Sequence, residues 1–264
     1  MLAAQRVLAA RVAQLDASRT AADSDLGVDP DLVRFVRSMA LVTPTAHALG
    51  RLPAEEADAI IEGSTLLRRL RGKAPALIDG GIVGHVQCWI ATQRPPHLPR
   101  RSDALDPQYF IEAREGVIAP LRTKPFDLGL FTSTYALGTY GMWWCYLRIH
   151  EGSTLFRTPW KAWRLEIDRH ARILEITSAS DWVRFVVSVG TECDGLLYPD
   201  WLLAGRNWDG VHMTAPAVAA TQGLQFIARH ADHAITAAPY WDVESTLWLH
   251  WVFRDAQPGD IRNE

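Results

Sequence analysis

Apolar residues recur at helical spacing through the first part of the chain. Leu2, Val7, Leu8, Val12 and Leu15 form one stripe, with Arg6 and Arg11 between them; this is the pattern of an amphipathic helix. A second helix is predicted from Asp29-Pro30, with Asp29 as cap and Pro30 at the first helical position, followed by Leu32, Val33, Phe35, Val36 and Met39. A third opens at Pro53 and ends at Gly72. The period then changes. Residues 82–91 read as a strand, and residues 94–106, rich in proline, arginine and aspartate, as a linker or exposed loop.

A mixed pattern begins at about residue 107. Leu128–Ser133 reads as a strand and Tyr135–Ile149 as an aromatic-rich buried helix. Trp163–Ile167 and Arg172–Ile176 read as short strands, and Ser178–Val189 as a helix with a Ser-Ala-Ser-Asp start. A short helix is expected from Pro199 to Leu203, a strand over Gly210–Met213, a helix over Ala217–Arg229 and a last strand over Ser245–Phe253. Strands and helices alternate irregularly, without the even βαβ rhythm or glycine fingerprint of a doubly wound dinucleotide-binding domain. The prediction is α+β, with a mainly helical N-terminal region over residues 1–106 and an α+β region over residues 107–264.

Composition narrows this picture modestly. The chain has 264 residues, enough for one large domain or two modest ones. Its net charge of −3 carries no sign of a nucleic-acid surface. Cys88, Cys145 and Cys193 are odd in number and widely spaced, which fits a reducing compartment better than a disulfide framework. No apolar run approaches a membrane span, and Arg6 and Arg11 break the N-terminal apolar region that a signal peptide would need. The expected location is cytoplasmic, with no membrane partner. Tryptophan is uneven: Trp89 is followed by all the others between Trp143 and Trp251.

Three segments hold candidate chemistry. In Trp241-Asp242-Val243-Glu244-Ser245-Thr246, two carboxylates flank one apolar residue just before a β-type run. Residues two apart on a strand share a face, so Asp242 and Glu244 point together from a rigid strand start, or else both are solvated at a polar strand entry. Gly129-Leu-Phe-Thr-Ser-Thr134 is a strand ending in consecutive hydroxyls. Hydroxyls there brace a carboxylate, or cap the next helix at Ser133 or Thr134. Asp209-Gly-Val-His212 is an acid–base pair, or a turn followed by a satisfied histidine. His230 and His233 stand at i and i+3, a spacing metal ligands use; a metal-assisted hydrolase would draw on Asp209, His212, His230 and His233. Trp143, Trp144, Trp160 and Trp163 read as core, with stacking on a planar ligand as the other use of such rings. There is no phosphate-binding Walker loop, Gly-x-Ser-x-Gly elbow or zinc deaminase pattern.

Taken together, Gly-Leu-Phe-Thr-Ser-Thr at 129–134 and Trp-Asp-Val-Glu-Ser-Thr at 241–246 resemble the mono-ADP-ribosyltransferase superfamily. The likeness is to its bacterial branch, whose signature is Arg, then Ser-Thr-Ser, then Glu-x-Glu, and it covers about residues 115–255. It implies an ADP-ribosyltransferase-like split β-sandwich core with flanking helices. It also implies NAD as substrate, cleaved at the nicotinamide–ribose bond through an oxocarbenium-like transition state. Glu244 would stabilise that state, with Asp242 as the first acid of the pair. Thr132, Ser133 and Thr134 would brace the nicotinamide pocket, Ser133 would donate to the glutamate, and Trp143, Tyr135 or Tyr140 would stack on the ring. Arg122 is the candidate first-motif arginine that would grip NAD, with His85 and Arg101 as alternatives. The stretch Asp209-Gly-Val-His-Met-Thr is similar to a strand in uncharacterised bacterial members. Asp242 stands where relatives have Glu or Gln, a position that helps select the acceptor. The acceptor is therefore left open among protein, nucleic acid, a small molecule and water. A toxin or effector role, an inhibitory partner, and a transferase or NAD glycohydrolase outcome all fit the resemblance. So does a catalytically silent nucleotide- or protein-binding module of the same fold.

Overall fold

The computed structural model of the chain describes residues 1–17, 26–40, 48–93, 122–125, 128–228 and 234–259. It is mixed α+β, with nine helices among the described residues and one large mixed sheet. Helices α1 (Leu2–Asp16), α2 (Pro30–Ala40), α3 (Ala54–Glu62), α4 (Thr65–Lys73) and α5 (Ala76–Asp79) come first, with strand β1 (Gly50–Leu52) after α2. Where the pattern predicts one helix from Pro53 to Gly72 there are two, parted at Gly63. The second is started by two side chains. Ser64 Oγ accepts from Leu67 N, and the Asp16 carboxylate at the end of α1 accepts from Thr65 N and Leu66 N. A helix start can thus be capped by a residue far away in sequence, and no local pattern reveals it.

The sheet takes β2 (Val86–Gln93), β3 (Leu130–Thr134), β4 (Arg157–Ile167), β5 (Ile173–Ile176), β8 (Gly210–Met213), β10 (Ser245–Trp248) and β11 (Phe253–Gly259). Their order is β11-β4-β2-β3-β10-β8-β5. The β5–β8 pair is parallel and the other pairs are antiparallel. Between β2 and β3 the register covers only Gln87↔Thr134 and Cys88↔Ser133. Beyond those rungs β2 continues beside β4 and β3 runs back beside β10, so the sheet parts along its middle.

Helix α6 (Gly141–Ile149) follows β3, and α7 (Ala179–Val189) follows β5. Ser178 caps α7 by accepting from Asp181 N, as its start signal predicts. Residues 135–140, expected to be helical, instead make a turn in which Leu137 and Gly138 have positive φ. Strands β6 (Gly190–Cys193) and β7 (Leu196–Pro199) form a hairpin about Asp194-Gly195, both at positive φ, the Asp-Gly turn that favours tight hairpins. Pro199 closes that hairpin, and Asp200 caps α8 (Trp201–Asn207) through Leu202 N and Leu203 N. The helix expected over Ala217–Arg229 is shorter, α9 (Ala215–Thr221), capped by Thr214. The chain then turns into β9 (Leu224–Phe226), which pairs with β1.

The expected last strand, Ser245–Phe253, is two strands. Leu249 and His250 donate their N–H groups to the carbonyl of Asp209, which breaks the ladder after Trp248. The chain resumes as β11 at the edge of the sheet, beyond β4. β2, from the region expected to be mainly helical, is an internal strand; the expected boundary at 106 lies outside the described residues. One core joins helical and sheet residues, among them Leu8, Phe35, Leu66, Trp182, Val211 and Leu247. No helix among the described residues is long and apolar enough to cross a membrane.

Candidate active site

Strand β3 is held tightly at both ends. Gly129 has φ +70°, and a Cβ there would lie 2.2 Å from the Trp248 carbonyl oxygen. Gly141 has φ +84°, and a Cβ there would meet Ser133 Cβ at 2.6 Å and Thr134 O at 2.7 Å. Only glycine fits such positions without strain. Between them, alternation sends Thr132 and Thr134 to one face and Phe131 and Ser133 to the other.

On the first face the hydroxyls are wired to side chains from several strands. Thr132 Oγ1 donates to Gln87 Oε1 at 2.7 Å and accepts from Trp248 Nε1 at 2.8 Å. Thr134 Oγ1 accepts from Gln87 Nε2 at 3.0 Å and donates to Glu244 Oε1 at 2.7 Å. The Thr134 N–H adds a contact of 3.3 Å to each Glu244 oxygen. His212 Nε2 stands 3.0 Å from Glu244 Oε1, and His212 Nδ1 contacts the Glu175 carboxylate. Gln87, Thr132, Thr134, His212, Thr246 and Glu244 are all buried.

On the other face Ser133 works through the main chain. Its hydroxyl donates to the Glu244 carbonyl at 2.9 Å and accepts from Trp143 N, in the first turn of α6, at 3.1 Å. The donor to the Glu244 carboxylate, expected of Ser133, is thus Thr134. Both uses expected of the hydroxyl run have a counterpart here, because alternation gives one hydroxyl to the carboxylate and the next to the helix start.

The two acids do not act as a pair. β10 begins at Ser245, so Asp242 and Glu244 precede the strand and its face rule does not govern them. Asp242 is part-exposed and meets Lys124 Nζ at 3.5 Å and Gln222 Nε2 at 3.3 Å. Glu244 is fully enclosed, so the reading of two solvated acids also fails for it.

A cleft of about 690 Å³, its open mouth included, lies where β2 and β3 part. Trp89, Phe131, Trp143 and Lys124 line it, together with Thr132, Ser133, Val243 and Ser245. Trp143 is itself stacked on Tyr146, with centroids 5.0 Å apart and planes 12° apart. Glu244 lies between two lining residues but turns its carboxylate to Thr134 and His212. Arg122 is exposed, and its carbonyl accepts from Trp201 Nε1 at 2.7 Å; the cation lining the cleft is Lys124, two residues on. His85 is exposed in the turn before β2. Arg101, His230 and His233 lie outside the described residues. Asp209 pairs with Arg172 at 3.0 Å while His212 turns to its two glutamates, so Asp209 and His212 do not form an acid–base pair. No metal-binding cluster occurs among the described residues.

Electrostatics follow from this enclosure. Burial disfavours a charged imidazole, but hydrogen bonds and charge from Glu175 and Glu244 outweigh it and raise His212 to about 9 from 6.5. Burial likewise works against a charged Glu175. His212 and the N–H groups of Ile82 and Gly81 more than offset it and hold that carboxyl below its ordinary value. No sequence pattern singles out Gln87 or Glu175, and none gives His212 its partners. They meet only through register, across strands far apart in sequence.

No protein-family model, curated protein or solved structure matches the chain. The candidate site therefore stands on its geometry.

Proposed function

We propose that this chain cleaves the nicotinamide–ribose bond of NAD, as an ADP-ribosyltransferase or an NAD glycohydrolase, with Glu244 as the residue that stabilises the transition state. The observation that carries this reading is the carboxylate of Glu244 at the head of β10, braced by Thr134 of the adjacent hydroxyl strand at 2.7 Å. Bond cleavage develops positive charge on the sugar carbon. A carboxylate turned toward the cleft favours that charge more in the transition state than in the ground state; in this structure it faces Thr134 and His212. The parting of the sheet between β2 and β3 supports a split β-sandwich as the finer description of the fold. The cleft at that parting offers indole faces and hydroxyls suited to a planar amide-bearing ring.

A second reading, a silent nucleotide- or protein-binding module of the same fold, is favoured by a specific observation. The Glu244 carboxylate is enclosed, and the side chain that β2 brings to its network is Gln87, not an arginine. One experiment separates the two: nicotinamide release from NAD, without added acceptor, by the wild type and by Glu244→Gln. Release that falls by at least about a hundredfold in the variant, the scale of losing one preorganised electrostatic contact, is the expected result. Equal release from both would remove Glu244 from the mechanism. No release, with NAD binding intact by calorimetry, would exclude a glycohydrolase, and no release even with a cell lysate supplied as acceptor would select the silent module.

A further inference from the structure

A row of side chains crosses one face of the sheet. Register sets Glu175 of β5 opposite His212 of β8, His212 opposite Thr246 of β10, and Thr246 opposite Thr132 of β3. Within this row His212 is wholly buried, with Nδ1 on the Glu175 carboxylate and Nε2 3.0 Å from Glu244 Oε1. A neutral imidazole has one donor and one acceptor nitrogen, whereas an ionised carboxylate only accepts. A ring facing an ionised carboxylate on each side carries both protons. Glu175 is itself anchored: its Oε1 accepts from Gly81 N at 2.9 Å and Ile82 N at 3.1 Å, leaving Oε2 for the ring. Its side chain is 24% exposed, while His212 and Glu244 are fully enclosed. The row thus joins a part-exposed carboxyl to an enclosed one through the imidazole ring.

We infer that His212, held as an imidazolium by Glu175, is a positioning residue for Glu244: it pins the interior carboxylate against Thr134 and balances its charge. The consequence for turnover rests on the proposed function; the geometry does not. A carboxylate without water must be paired and hydrogen-bonded. Thr134 gives Glu244 neutral donors and His212 gives it charge. The Cys88 thiol on β2, which feels both Glu244 and Arg164, is pushed up to about 12 by burial and stays neutral. Glu175 and Glu244 are the charged groups facing His212.

The test is nitrogen NMR of the full-length protein carrying ¹⁵N-histidine, with His212 assigned by the signal missing from His212→Gln. At about pH 7.5, a unit above an ordinary histidine, both ring nitrogens should be protonated. Glu175→Gln, which keeps an oxygen for the Gly81 and Ile82 N–H groups, should bring the His212 midpoint to lower pH. The Thr134 amide resonance should move in step with that titration, because this N–H donates to Glu244. A neutral ring in the wild type, or a Thr134 amide indifferent to His212, would overturn the inference. None of these NMR observables needs NAD. In the nicotinamide assay, Glu175→Gln should shift the alkaline limb of the pH profile to lower pH, a change that loss of stability alone would not produce. Absence of release from the wild type, with and without a lysate supplied as acceptor, would defeat the proposed function, and the NMR would still decide for or against an imidazolium at His212.

Discussion

Glu244 enters the sheet with its charge already answered, and the answer has a pH dependence. His212 has a folded-state value of about 9 against 6.5, so it binds its proton more tightly folded than unfolded. Its contribution is complete below pH 6.5 and lost as the pH rises through about 9. Glu175 is shifted the other way; its contribution is present above its ordinary range and lost in acid. Stability should therefore be highest between about pH 5 and 6.5 and fall toward pH 9, by on the order of 2–3 kcal/mol. In His212→Gln the alkaline decline should vanish. Urea unfolding across that range measures it, and an unchanged alkaline slope in the variant would assign the decline to other groups.

At the level of elements, β3 is the organising piece. Its glycines let it pass against Trp248 and under α6, and its alternating hydroxyls serve both faces. Ser133→Ala would leave the buried Glu244 carbonyl without its hydroxyl donor and Trp143 N without its acceptor. The expected cost is about 1–3 kcal/mol, read as a lower urea midpoint at constant slope. Thermal stability equal to the wild type would mean that Ser133 does not tie β3 to α6. Elements with complete local signals are legible in the sequence. Asp29-Pro30 opens α2, Ser178 caps α7, and Gly210–Met213 is a strand. Elements ended by remote groups are not. The run Ser245–Phe253 has unbroken β character, yet Asp209 O takes the N–H groups of Leu249 and His250 and splits it. The β6–β7 hairpin is an omission of a different kind, since its Asp-Gly turn is visible in the sequence.

On the scale of the whole molecule, the N-terminal helices are tied to the later helices by polar contacts as well as apolar ones. Arg11 of α1 reaches the C-terminal end of α9, contacting the Ala219 carbonyl and donating to Gln222 O at 2.9 Å. Asp58 of α3 receives Ala179 N and Ser180 N at the start of α7. Arg11→Ala would leave enclosed carbonyls without a donor, a loss of about 2–4 kcal/mol. Because both parts share one core, the wild type and this variant should each unfold in a single transition, with far-UV circular dichroism and tryptophan fluorescence coincident. Two separated transitions would mean that the N-terminal helices fold independently of the sheet.

The sequence alone determined the α+β class, the starts of α1, α2, α3 and α7, and the strand character of the hydroxyl run, because periodicity and caps act within a few residues. It also singled out Glu244 and the hydroxyl run as candidates. Only the tertiary structure decided which hydroxyl meets the carboxylate, that Asp242 turns away to Lys124, and that His212 and Glu175 complete the network. Those contacts join residues 20 to 118 positions apart, and no local pattern encodes them.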